Sequence, residues 1–261
     1  MIKEKSLYEE MFQRYASNYD MNDKKILLKV NHMYRVRSVA REIATRLNLP
    51  KNDIELAEFL GLYHDIGRFE QLKQYDTFDD SKSFDHGDFG ADILEKNGYI
   101  NWLIPGYNDD TYEILLCAVR YHNKFRLDDS LKYGTHYLCK IIRDADKIDI
   151  YRAMAEESSS DLFFDFKDES DCVISDEVKD AFYQNQTIDK SKVKTKLDRL
   201  VLKLAFAYDI NYNISKDYLL HLGNVDMFVR TLLNSEGIRK SSLTGEILTM
   251  FEHITEFLSQ N

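Results

Sequence analysis

Residues 50–70 read PKNDIELAEFLGLYHDIGRFE, and the spacing of the apolar residues in this stretch points to a helix. Ile54, Ala57, Leu60, Gly61 and His64 share one helical face, with Pro50 suited to the first turn and Gly67 to a stop. His64 and Asp65 close that helix, so an imidazole and a carboxylate stand side by side at its end. The same rhythm continues on both sides. Upstream, Asn22 or Asp23 can cap a helix through Ile26, Val30, Met33, Val36, Ala40, Ile43 and Leu47, which places His32 inside a long helix. Downstream, Asp85 or Ser83 opens a helix through Phe89, Ile93 and Leu94 that Gly98 ends, with His86 at its start. Asp109 or Asp110 opens another, with Ile114, Leu115, Ala118 and His122 on one stripe. After Gly134 a segment runs through Tyr137, Ile141, Ala145, Ile148 and Arg152 without a breaker, and Asp146 lies in its middle. Further helices are predicted over 193–210, 216–222, 225–233 and 243–258.

Composition supports an all-α protein. Only 10 Gly and 2 Pro punctuate 261 residues, too few for the turns of a sandwich or barrel. Neither GxGxxG nor GxxxxGK[ST] nor GxSxG occurs, so a Rossmann site, a P-loop and a nucleophile elbow lack their parts. Lys and Arg number 35 against 45 Asp and Glu, a net charge of −10 that opposes non-specific attraction to nucleic acid. The first twenty residues hold no signal-peptide core and no apolar run approaches a membrane span, which predicts a cytoplasmic protein with no membrane partner. Cys117, Cys139 and Cys172 are odd in number without a CxxC spacing and read as thiols in a reducing compartment.

The predicted organisation is a core with an N-terminal helix over residues 1–154, an acidic connection over 155–190 and a C-terminal helical part over 191–261. The connection carries 11 acidic and 3 basic residues, a solvated link in the plainer reading. Phe163 and Phe164 within it suggest the alternative of an aromatic-anchored lid. The C-terminal helices can pack on the core or on a second subunit, so a homo-oligomer is among the expectations.

The chemistry lies in an ordered series: His32, then His64 and Asp65 in LYHDIGRFE, His86 in FDHGDFGADIL, His122 in AVRYHNK and Asp146 in RDADKID. Imidazole nitrogen and carboxylate oxygen can serve one metal, and one carboxylate can bridge two. This series resembles the HD-domain superfamily of metal-dependent phosphohydrolases, a helical family marked by a His, a His-Asp doublet and a later Asp. HDIGR around His64 and the HxxxGAxIL pattern from His86 to Leu94 sharpen the resemblance, which covers residues 24–152. It implies that His32, His64, Asp65 and Asp146 hold one metal, and that His86 and His122 complete a second site bridged by Asp65. Asp144 is the fallback for Asp146, and Asp149 a candidate to support it. After His122 come Asn123, Lys124 and Phe125, without the adjacent His or the GYP stretch of the HD-GYP phosphodiesterases, so that subfamily's substrate is not carried over.

The ligand types suit one or two divalent transition metals, Fe, Mn, Ni, Co or Zn, with Mg a poorer match. The implied reaction is attack of metal-bound hydroxide on a phosphate ester of a small molecule, a nucleotide being the expected class. Asp65, Arg68 and Lys147 are the expected catalytic residues, with Arg68 and, more weakly, Lys147 contacting phosphate oxygens. Trp102, Tyr107 and Tyr121 are candidates for stacking on a base, although Trp102 and Tyr107 also suit loop packing. His136, His221 and His253 fit no motif position and read as structural or surface residues. Two other readings share the same ligands: a diiron oxygenase, and a nucleotide-binding regulatory module.

Overall fold

The computed structural model describes residues 7–100, 106–127, 130–134, 136–157, 173–234, 238–239 and 243–260. Trp102, Phe163, Phe164 and Cys172 lie outside the described residues. The fold is all-α. The helices are α1 (Leu7–Ala16), α2 (Lys24–Arg46), α3 (Lys51–Tyr63), α4 (Gly67–Tyr75), α5 (His86–Lys96), α6 (Asp109–Tyr121) and α7 (Tyr137–Glu157). They continue with α8 (Asp176–Tyr183), α9 (Lys196–Leu204), α10 (Asn213–Leu222), α11 (Asn224–Asn234) and α12 (Thr244–Ser259). None of the described helices is long and apolar enough to cross a membrane. The chain divides into two compact units, Met1–Asp146 and Lys147–Asn261, with the division inside α7.

In the first unit α2 and α3 form the most extensive helix pair, and α5 packs on both α4 and α6. Asp23 caps α2 by accepting the Lys25 N–H. Ile26, Val30, Met33, Val36, Ala40 and Ile43 are all buried, and His32 is buried among this apolar series. From Leu56 to Tyr63 every side of α3 is buried, as expected of a helix inside a core. Gly61 allows this closeness: a Cβ there would lie 2.5 Å from the Arg37 Cα and 2.7 Å from its backbone nitrogen.

Several boundaries differ from those expected. Pro50 is the N-cap of α3 and stands just outside the first turn. Gly67 begins α4, a helix the periodicity did not suggest, and does not stop α3, which ends at Tyr63 with His64 at its C-cap. The glycine serves packing there, since a Cβ would meet the His86 carbonyl at 2.4 Å and the Gly90 nitrogen at 3.0 Å. Asn108, and neither Asp109 nor Asp110, caps α6 by accepting the Thr111 N–H at 2.9 Å. Asp85 does cap α5, accepting from Gly87 and Asp88.

The second unit holds α8, which falls inside the stretch expected to be a solvated, partly irregular acidic connection. Val178 and Phe182 are buried on one of its faces, and that face explains the helix. Asp198, buried at the start of α9, accepts from Ser175 N at 2.8 Å, Ser175 Oγ at 2.7 Å, Lys194 N at 2.9 Å and Thr195 N at 3.1 Å. The Thr195 side chain answers by accepting the Asp198 N–H, closing a capping box. The Tyr151 hydroxyl donates to the Leu204 carbonyl at 2.6 Å. Ile247, Met250, Ile254 and Leu258 form the buried stripe of α12.

Candidate metal centre

Helix geometry explains how residues far apart in sequence meet. The α2–α3 pair sets His32 beside His64, with ring centroids 5.3 Å apart. The packing of α4 on α5 and of α5 on α6 brings His86 and His122 to the same place, with centroids 5.0 Å apart. Asp146 arrives on α7. His32, His64, Asp65, His86 and His122 are at most 3% exposed, so their polar atoms face one another and not solvent.

Asp65 lies between the two halves. Its Oδ2 is 3.7 Å from His32 Nε2 and 3.8 Å from His64 Nε2. Its Oδ1 is 3.3 Å from His86 Nε2 and 3.5 Å from His122 Nε2. Asp146 Oδ1 completes the first half, 3.1 Å from His32 Nε2 and 3.5 Å from His64 Nε2. His32, His64 and Asp146, and likewise His64, Asp65 and His122, are close enough to share an ion. Asp144 is fully buried too, yet it joins no such grouping among the described residues.

Three imidazoles have their tautomer set by the outer nitrogen. His64 Nδ1 is 3.0 Å from the Gly61 carbonyl, His122 Nδ1 2.7 Å from the Val119 carbonyl, and His86 Nδ1 2.8 Å from Asp80 Oδ2. Each of these partners is an acceptor, and at His86 the two Asp80 oxygens at 2.8–2.9 Å outweigh the Asn123 amide nitrogen 3.3 Å away, so each Nδ1 carries the proton and donates it, leaving a lone pair on Nε2. The inner nitrogens therefore meet acceptor to acceptor: His86 Nε2 and His122 Nε2 are 3.2 Å apart, and buried His64 Nε2 finds no hydrogen-bond donor. Buried lone pairs gathered around carboxylate oxygens are costly unless a cation stands among them. The donor set thus fits a divalent transition metal.

The electrostatics favour the ligand forms. Burial lowers the His64 pKa, outweighing the opposing pull of Asp65 and Asp146. Burial, aided by the Arg68 charge, brings His86 down to about 4. Burial works the other way on Asp65, but Lys29, His64, His122 and Arg68 together hold its carboxyl well below the usual range. Asp146 is held down likewise by His32 and His64 against the effect of burial. At neutral pH His64 and His86 are uncharged, and Asp65 and Asp146 are anions.

The surrounding cations are arranged unequally. Arg68 donates through one terminal nitrogen to Gln71 Oε1 at 2.7 Å, the Phe78 carbonyl at 2.6 Å and Asp80 Oδ1 at 2.9 Å, while its Nε lies 3.6 Å from Asp65 Oδ1. Lys147 is buried and pairs with Asp209 at 2.7 Å within the second unit. Lys29, absent from the sequence expectations, places its ammonium 2.8 Å from Asp65 Oδ2. Phe78 lies between the two cations, its ring centroid 5.2 Å from the Lys29 ammonium and 5.7 Å from the Arg68 guanidinium carbon. Lys29 precedes His32 by three residues on one helical face, a spacing that could have drawn notice. Buried Arg143 donates to the carbonyls of Tyr121, His122 and Lys124 at 2.8–3.0 Å and so fixes the end of α6 that carries His122.

The remaining histidines join no grouping that could hold a metal among the described residues. His136 Nδ1 accepts the Leu138 N–H at 3.2 Å, His253 Nε2 is 2.8 Å from Asn185 Oδ1, and His221 is exposed. Tyr121 lines a separate cavity of about 300 Å³ with Glu113, Cys117, Leu131, Lys132 and Tyr133.

Residues 30–151 match the family model of the HD domain, a span that contains His32, His64, Asp65, His86, His122 and Asp146. Residues 30–151 carry an HD domain, and members of that superfamily are mostly metal-dependent phosphohydrolases. No curated protein and no solved structure matches the chain.

Proposed function

We propose that this HD domain is a binuclear metal-dependent phosphohydrolase acting on a phosphate ester of a small molecule, with nucleotides as the substrate class. The observation that carries the reading is the division of Asp65: each oxygen faces its own pair of histidine Nε2 atoms. His32, His64, Asp65 and Asp146 would hold one divalent metal, and Asp65, His86 and His122 the other. Such metals supply an acidified water near neutral pH and positive charge for phosphate oxygens.

The chain's own groups do the rest. Depressed Asp65 and Asp146 remain ionised, so they are available as ligands throughout the neutral range. Lys29 and Arg68 bring two positive charges beside Asp65, where an incoming phosphate would need them. Arg68 is held by three acceptors and offers a fixed guanidinium, whereas Lys29 sits on a flexible stem and can turn from Asp65 to substrate. The acidic chain disfavours long polyanions and so supports a small substrate.

The test is phosphate release from a panel of nucleoside mono-, di- and triphosphates and cyclic nucleotides, with the protein loaded in turn with Mn, Co, Ni, Fe or Zn. Release from at least one member, abolished by Asp65→Ala, is expected. Silence across the panel from protein shown to hold metal would overturn the reading, and two bound irons consuming oxygen would point to the oxygenase chemistry.

A further inference from the structure

Asp80 has no place in the ligand series, yet it accepts from four side chains around the site: His86, Arg68, Gln71 and Asn123. It stands at the start of a short 3-10 turn, Asp80–Lys82, that leads into α5. His86 Nδ1 lies 2.9 Å from its Oδ1 and 2.8 Å from its Oδ2. The same carboxylate accepts from Arg68 at 2.9 Å and Gln71 Nε2 at 2.9 Å, and from Asn123 Nδ2 at 3.4 Å. Asp80, Asp85 and His86 are themselves close enough to share an ion. Donors already occupy the two aspartates, however: Asp85 takes the Gly87 and Asp88 N–H groups, Asn123 and the Lys124 ammonium. This cluster is a hydrogen-bonding support, and its carboxylates are aimed at protein donors.

We infer that Asp80 is a positioning residue that holds the His86 ring with its proton on Nδ1 and its Nε2 lone pair toward His122 and Asp65, and that ties this half of the centre to Arg68. The inference rests on the reading that His86 and His122 form half of a binuclear site. Only an acceptor on both oxygens satisfies this environment, because His86, Arg68, Gln71 and Asn123 all donate to Asp80. An asparagine would turn an NH2 group against either His86 or the Arg68–Gln71 pair. A hydrogen bond from a ligand histidine to a carboxylate fixes ring orientation and raises the basicity of the inner nitrogen, and losing such a partner costs about 10–100-fold in metal affinity. The consequence is asymmetric. Loss of Asp80 weakens the His86–His122 half and leaves the His32–His64–Asp146 half in place.

Two readouts test this on the full chain. The first is metal content and affinity of Asp80→Asn and of Arg68→Met, using Mn and Co alone as probes, with circular dichroism to establish folding. Asp80→Asn should drop from about two equivalents to about one, its second dissociation constant rising about 10–100-fold. Arg68→Met, which frees Asp80 of one partner but leaves His86 held, should keep both. Two equivalents of unchanged affinity in folded Asp80→Asn would overturn the inference, as would parallel loss of both metals. The second readout needs no metal: ring ¹⁵N shifts of the metal-free protein, assigned with His86→Gln. The wild-type His86 should show the Nδ1-protonated tautomer and Asp80→Asn a mixture. A wild-type His86 protonated on Nε2 would overturn the inference, whereas normal tautomers in a protein that binds no metal would overturn the metal reading alone.

Discussion

At the scale of single residues, the candidate ligand set could be read as a matter of identity and order: four histidines, one of them in a His-Asp doublet, and a later aspartate stand in series along the chain. Choosing Asp146 over Asp144 rested on context in the sequence and on approach to two histidines in the structure. Lys29 and Asp80 were not found in this way. A lysine on a helix and an aspartate in a turn are ordinary surface residues until tertiary packing brings one to Asp65 and the other to His86. If Lys29 meets substrate phosphate, Lys29→Gln should raise KM about tenfold or more with little loss of bound metal, as expected for one charge-assisted hydrogen bond. Steady-state kinetics beside metal analysis check this, and an unchanged KM would remove Lys29 from phosphate binding.

At the scale of elements, apolar spacing identified the helices that carry ligands but misread two others. Gly67 looked like a stop, and it is the point where α4 passes against α5; spacing alone does not distinguish a glycine that ends a helix from one that admits a neighbour. Acidic residues obscured α8, whose buried Val178 and Phe182 were too few to outweigh the charge around them. The α2–α3 contact carries the sharpest prediction at this scale. Gly61→Ala sets a Cβ against the Arg37 backbone, so the helices must part, destabilising the protein by about 2–3 kcal/mol and loosening His32 from His64. Urea unfolding measures the first effect; stability within about 0.5 kcal/mol of wild type would show that the pair has room to adjust.

Asp198 yields a prediction of opposite character, one that depends on pH. Burial alone would raise its pKa, but the bonds from Ser175, Lys194 and Thr195 leave it below the ordinary 3.8. The folded state therefore favours the ionised form. Its stabilisation is present above about pH 4 and is lost as acid protonates the folded carboxyl. Asp198→Ala leaves several buried donors unmatched and should cost about 2–4 kcal/mol at pH 7, a deficit that narrows in stronger acid. A deficit constant from pH 7 to pH 3 would mean that the charge on Asp198 contributes nothing.

At the scale of the whole molecule, the residues expected to do chemistry were read from less than half of the chain, and the HD domain occupies the same part. The second unit is helical and has its own buried stripes, which composition and spacing made visible in outline. What its helices do was not legible, because amphipathic spacing reports that a face is covered and says nothing of what the cover is for. Net charge makes a statement of its own. With −10 on the chain, polynucleotide binding should be undetectable at about 0.15 M salt, and fluorescence anisotropy with labelled single- and double-stranded oligonucleotides checks it. Micromolar binding under those conditions would contradict the small-substrate reading.

Whether Asp65 joins two metal positions is decided by the metal content of wild-type protein and Asp65→Ala, purified without chelator and compared at equal folded concentration. About two equivalents of transition metal are expected in the wild type and close to none in the variant, since both halves lose their shared carboxylate. A wild type without metal, or a variant that keeps both equivalents, would contradict this role of Asp65.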